Sequence, residues 1–286
     1  MNARLPKRQH FIAQMLLQRF ADEEGKLLFF SKQFPAKGVL CTTPGNLFCQ
    51  THIYTARDKN GVTDVRLERS YARLESLANA VIEKIVTSAR AGRAPLLTAE
   101  ERDIWALFFY NQWKRAPDFH RKFLETEKFE SQLKQATAAF EANVRRLTPD
   151  EKCDLRNPQW LERVKQNAMI HALTPTSPTI LAVLKEKGLG IATIRKPGNS
   201  FVIGSFPVVK LAHPGGPHPA DPAVEMWLPV AHDVAVSPAP LQSPAELLVE
   251  IHDDSPVRHI NAAIFSQSTA IAGRSQKLIA SLVRSR

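Results

Sequence analysis

Gly188-Leu189-Gly190-Ile191-Ala192-Thr193-Ile194 is the stretch on which the reading of the fold turns. Before it, apolar residues recur at three- and four-residue spacing, the pattern of amphipathic helices. After it, β-branched residues and prolines take over. Ile191 to Ile194, Ser200 to Ile203 and Val208 to Ala212 read as strands, as does Leu247 to Ile251. Asp254 or Ser255, with Pro256 behind it, then opens a closing helix that carries Ile260, Asn261, Ile264 and Ala270 to Leu278.

Upstream, Leu67, Tyr71, Leu74, Ala78, Val81 and Ile85 form an apolar stripe and predict a helix from about Val65 to Ala91. Thr98-Ala-Glu-Glu101 is a capping box that opens a second helix, apolar nearly all round (Ile104, Leu107, Phe108, Tyr110 to Trp113) and ended by Pro117. Asp118 is a cap for a charged helix to about Leu147, bearing Lys122, Glu125, Lys128, Glu130 and Lys134. Thr148-Pro-Asp-Glu151 is a second capping box, for a helix ending near Ala172, and Thr174 to Pro178 leads a short helix that stops at Gly188 or Gly190. Gly25 to Phe30 reads as one early strand, and residues 35–50, with Pro35, Gly38, Pro44 and Gly45, as irregular loop.

The expected fold class is therefore α+β: a mostly helical N-terminal two-thirds with one early strand, a C-terminal antiparallel sheet and a closing helix. One domain is expected over residues 1–286, helical over about 1–190, strand-rich over about 191–252 and closed by a helix over about 255–286, with the early strand joining the later sheet.

At 286 residues, 44% hydrophobic and 23% charged, the composition is that of an ordinary globular protein. No run approaches the roughly 20 apolar residues of a membrane-spanning helix, and the N-terminus lacks the apolar core of a signal peptide. Cys41, Cys49 and Cys153 are too few and scattered for a disulfide framework, so a cytoplasmic location is expected. Cys41, Cys49 and His52 lack the tight pair that zinc favours, and His213, His218 and Asp221 lie in a Pro/Gly loop that reads first as a connector. The net charge of +10 points to nucleic acid, nucleotides or another acidic partner, or to solubility alone; the basic residues form no dense run.

Arg8-Gln-His10-Phe-Ile-Ala-Gln14-Met-Leu-Leu17-Gln-Arg-Phe20 is the remaining stretch of note. Read as a helix, it puts His10, Gln14 and Leu17 on one face and turns two polar groups toward the interior, where they need partners. His10, Gln14, Leu17 and Phe20, followed by Ala21-Asp22, Gly25, Lys26 and Leu27, resemble the opening of a bacterial family of unknown function, the one numbered 4238 among the domains of unknown function. The resemblance continues through Phe48 to Tyr54, a helix with glutamates at the spacing of Glu68 and Glu75, and an Arg-Thr-Pro in which Arg115 and Pro117 match and Ala116 departs. It ends on a Thr-Ser-Asp-Asn-Pro-Val motif, where Pro207 and Val208 match and Ser205 stands at the acidic position, and on a helix asparagine at Asn261. The family implies a fold and a set of positions, and no activity.

Two functions compete. In the first, His10, Gln14, Glu68, Glu75 and Arg115 converge as the site of a phosphodiester-cleaving enzyme acting on nucleic acid or nucleotides, in a role such as phage defence or a toxin. Glu68 and Glu75 would hold a divalent metal such as Mg²⁺, His10 would move the proton and Arg115 would stabilise negative charge. In the second, the same groups are a buried network without catalytic work, Glu68 and Glu75 pairing with an arginine such as Arg8 or Arg115, in a module that binds nucleic acid or protein. Ser205 in place of an acid favours the second; a polar cluster drawn from separate helices favours the first.

Overall fold

A computed structural model describes residues 8–58, 60–120, 126–211, 221, 224–239 and 245–284. The fold is α+β. The longest helix, α2 (Arg66–Arg90), buries Tyr71, Ala78, Val81, Ile82, Ile85, Val86 and Ala89, the three- and four-residue stripe expected of it. It ends at Gly92, whose φ of 72° suits a residue without Cβ. Thr98 and Glu101 form the expected capping box of α3 (Ala99–Lys114). Helix α3 buries residues on every side, Trp105, Phe108, Phe109, Tyr110, Gln112 and Trp113 among them, because α2 and α8 (Pro178–Glu186) pack against it.

The charged region after Pro117 is α4 (Pro117–His120) and α5 (Thr126–Asn143). Lys122 and Glu125 lie outside the described residues. The next expected helix is divided: α6 (Pro149–Asp154) follows the second capping box, and α7 (Pro158–Leu173) restarts where Asn157 caps the amides of Gln159 and Trp160. Proline at 158 has no amide to continue the earlier helix and sets the first turn of the later one.

Strand β7 (Gly188–Ile194) begins three residues earlier than its β-branched run, so Gly188 and Gly190 lie inside it rather than before it. It sits in a five-stranded sheet ordered β12-β7-β11-β10-β9, with β9 Val209–Lys210, β10 Met226–Ala231, β11 Val234–Ala239 and β12 Glu246–Ile251. Three of its pairings are antiparallel, and β12 runs parallel to β7.

A second sheet is ordered β3-β2-β13-β8, with β2 Leu27–Ser31, β3 Leu40–Thr42, β8 Ile203–Gly204 and β13 Ala270–Gly273. The early strand thus joins late strands, although its direct partner lies in the stretch expected as closing helix. That stretch is α9 (Asp254–Gln267), β13 and α10 (Gln276–Arg284). Local helix periodicity holds on both sides, but Ile271 and Ala272 are wholly buried between β2 and β8, and strand pairing there overrides it.

The opening stretch is likewise not one helix. Arg8–His10 is a strand, β1, antiparallel to β4 (Cys49–Thr51), and α1 covers only Gln14–Gln18. The loop of residues 35–50 contains β3, β4 and two single 3₁₀ turns at Pro35–Lys37 and Pro44–Asn46. Ala56–Arg57 and Thr63–Asp64, β5 and β6, close a small hairpin. Among the described residues no helix is long and apolar enough to cross a membrane.

Gly204 shows how tightly the second sheet meets α9. A Cβ there would collide with Ser268 Oγ and lie 2.8 Å from Ile264 Cγ2. Gly204→Ala is expected to cost about 1–3 kcal/mol by overpacking, read as a lower denaturant midpoint at unchanged slope.

Candidate functional site

Arg115 follows directly on α3, and its side chain is 1% exposed. A buried guanidinium needs partners for its charge and for its N–H groups. Nη1 pairs with Glu75 Oε1 on α2 at 2.6 Å, and Nε donates to the Phe11 carbonyl at 2.9 Å. With the Gln112 amide oriented oxygen-first, Nη2 donates to it at 2.8 Å. The guanidinium carbon lies 5.1 Å from the centre of the Tyr71 ring, a cation–π contact. The Arg115 carbonyl accepts from Tyr54 Oη at 3.3 Å, and the Tyr54 ring meets Tyr71 edge-on at 5.0 Å. Burial works against the Arg115 charge, and Glu75 with the two tyrosines more than restores it.

Glu68 and His10 flank this pair. Burial raises the Glu68 carboxyl above its usual range, and Glu75 adds to the rise while Arg115 opposes it. Burial lowers His10. Its Nε2 lies 3.3 Å from the Pro44 carbonyl, which only accepts, so Nε2 carries the proton and Nδ1 is the open acceptor of the neutral ring. Burial also lifts the Tyr71 hydroxyl, to about 12. Among the described residues that buried hydroxyl has no hydrogen-bond partner.

Of the five predicted site residues, Glu75 and Arg115 touch, and Glu68 and His10 lie within electrostatic reach of both. His10 reaches them from β1 rather than from a helix. Gln14 does not point inward: it is exposed on α1, against the turn at Gly45. Arg8 turns away from the glutamates to Asn46 and to Cys49 Sγ.

The pair Glu68 and Glu75 makes a poor metal site, because Arg115 already claims one of its two carboxylates. Among the described residues no three His, Cys, Asp or Glu side chains gather to hold a metal ion. Cys41, Cys49 and Cys153 are free thiols. His213 and His218 lie outside the described residues.

On the far side of Pro117 lies a cleft of about 560 Å³ that sequence reasoning missed. Phe11, Phe29, Phe34 and Phe48 wall it, with Lys37 at its lip and Asp118, Ser205 and Thr269 below. Phe34 is 57% exposed, with Lys37 Nζ 5.0 Å from its ring centre. Phe48 is held left-handed at φ 52°, a conformation that costs an aromatic residue on the order of 1–3 kcal/mol. Its carbonyl accepts from Phe11 N at 3.0 Å, and the two rings stand 5.8 Å apart.

Ser205 is hydrogen-bonded to a carboxylate from another segment of the chain. Its hydroxyl donates to Asp118, while Thr269 Oγ1 donates to the same carboxylate at 3.0 Å. Asp118 thus sets a carboxylate beside Ser205. Distance in sequence, 87 residues, hid it.

Fold and site together define an α+β protein with a buried arginine network beside an aromatic cleft. The profile of a protein of unknown function, DUF4238, matches residues 8–277, and the chain belongs to that family. No curated protein and no solved structure matches it.

Two outcomes follow from the network. Arg115→Met strands Glu75 and the Phe11 carbonyl, and is expected to cost roughly 3–5 kcal/mol in a denaturant melt. Glu68 is expected to oppose folding once ionised, since a raised folded pKa gives stability that is full below the usual value of 4.5 and lost as pH rises through the folded one. Glu68→Gln should therefore melt higher than the parent at neutral pH, with the gain vanishing in acid; an equal gain at both pH values would contradict the assignment.

Proposed function

We propose that this chain is a non-catalytic binding protein for single-stranded nucleic acid or nucleotides, that bases stack in the phenylalanine cleft, and that the Arg115 network is its scaffold. The observation behind this reading is Phe34, a large aromatic ring left 57% exposed at the mouth of a cleft walled by three more phenylalanines, with the Lys37 cation beside it. Every base has a π-face, so aromatic walls accept bases with little regard to sequence, and nearby cations hold the phosphates. The chain's charge of +10 draws such a polyanion from a distance. Arg115 fits the scaffold role: at 1% exposure, with Nη1 on Glu75, Nε on Phe11 and Nη2 on Gln112, it is turned inward rather than toward a phosphate in solvent.

A second reading, phosphodiester cleavage at His10 and Glu68, has one observation in its favour. The two groups are shifted in opposite directions, His10 toward its neutral base form and Glu68 toward its acid form, which is the pattern of an acid and a base set for proton transfer.

Oligonucleotide binding followed by fluorescence anisotropy separates the two. Affinity for short single-stranded RNA or DNA is expected to fall as salt rises. Phe34→Ala is expected to remove about 1–3 kcal/mol of stacking, roughly a 5- to 150-fold loss in affinity. Binding indifferent to Phe34, or none at low salt, sinks the cleft as the site. Cleavage of the same oligonucleotides, with or without Mg²⁺ or Mn²⁺, that disappears in folded Glu68→Gln would instead move the function to the second reading.

A further inference from the structure

Strand β12 ends the five-stranded sheet, and among the described residues no strand pairs with its outer side. An edge strand presents a row of unsatisfied peptide groups, and proteins that stay monomeric blunt it with charged side chains, lysine above all, with proline or with a bulge. Residues 246–251, Glu-Leu-Leu-Val-Glu-Ile, contain neither lysine nor proline, and their register with β7 runs unbroken over six residues. Leu247 and Val249 are 44% and 47% exposed on one face of this edge.

We propose that β12 is a self-association edge, where two copies of this chain pair antiparallel about a two-fold axis at Leu248 and join their sheets. The backbone sets which peptide groups this register can use. The Ala245 carbonyl accepts from Leu189 N at 2.8 Å, and the Ile251 carbonyl from Arg195 N at 2.9 Å. Odd-numbered residues of β12 thus turn their peptide groups inward to β7, and Glu246, Leu248 and Glu250 turn theirs outward. Leu248 then forms a hydrogen-bonded pair with itself across the axis. Glu246 and Glu250 form such pairs with each other, and the two exposed apolar residues, Leu247 and Val249, meet directly in the closer, non-hydrogen-bonded positions.

Charge fits the same occupant. Glu250 is held by Arg195 at 2.6 Å and Glu246 by Arg102 at 2.9 Å. Each end of the paired strands therefore brings two glutamates together with two arginines rather than a bare acidic row. A lysine placed at Val249 would break this arrangement without touching the core.

Sedimentation of the full chain tests the proposal at about 0.15 M salt, where repulsion is screened beyond about 8 Å. The parent is expected to dimerise with concentration, and Val249→Lys to raise the dissociation constant at least about tenfold while the melting temperature of the dilute monomer stays unchanged. Leu248→Cys is expected to give a disulfide-linked dimer on mild oxidation that the parent, with its own three cysteines, does not give. A parent that stays monomeric up to about 100 µM overturns the proposal, and leaves the edge to a strand from another protein. A dimer that ignores Val249→Lys and leaves Leu248→Cys uncrosslinked overturns it as well.

Discussion

One buried charge organises the N-terminal half. The Arg115 guanidinium cannot be dry and unpaired, so α2 must bring Glu75 to it, α3 must bring Gln112, and the chain after β1 must bring the Phe11 carbonyl. These partners come from three segments far apart in sequence. Their meeting sets the angle between α2 and α3 and the path of the opening strand. A buried pair of this kind adds little stability over a well-packed apolar core, but losing one member leaves a stranded charge.

The same residue links the network to the cleft. Phe11, whose carbonyl takes the Arg115 N–H, turns its ring to Phe48 at the cleft wall. Two residues after Arg115 the chain passes Pro117 and delivers Asp118 to Ser205 and Thr269 at the base. Network and cleft are thus two faces of one helix end. The strained Phe48 backbone is held by the β1–β4 pairing beside it, so the cost of its conformation falls on the fold and not on a ligand.

Much of the helical part was legible in the sequence because helices are local. The stripe from Tyr71 to Ile85, the capping boxes at Thr98 and Thr148, and the break at Pro117 all act within a few residues of themselves. The pairing of Arg115 with a glutamate was open to the same reasoning, because Glu75 lies beside the buried stripe and a half-buried carboxylate needs a cation. His10 was found as a polar residue near the site but assigned to the wrong element: three residues of strand carry no periodicity of their own, and the pairing of Arg8 with Thr51 decides them.

The amino-acid sequence by itself determined the helices, their caps, the turn to strands near Gly188, and the residue types able to form a buried ion pair, all consequences of short-range spacing and side-chain chemistry. Only the tertiary structure decided that the segment after Gln267 is a strand between β2 and β8, that β12 runs parallel to β7, and that Gln14 faces solvent. It also decided that four phenylalanines from separate segments share a cleft, and that Asp118 answers Ser205. These depend on which distant segments lie side by side, and strand pairing and long-range hydrogen bonds leave no mark in local periodicity.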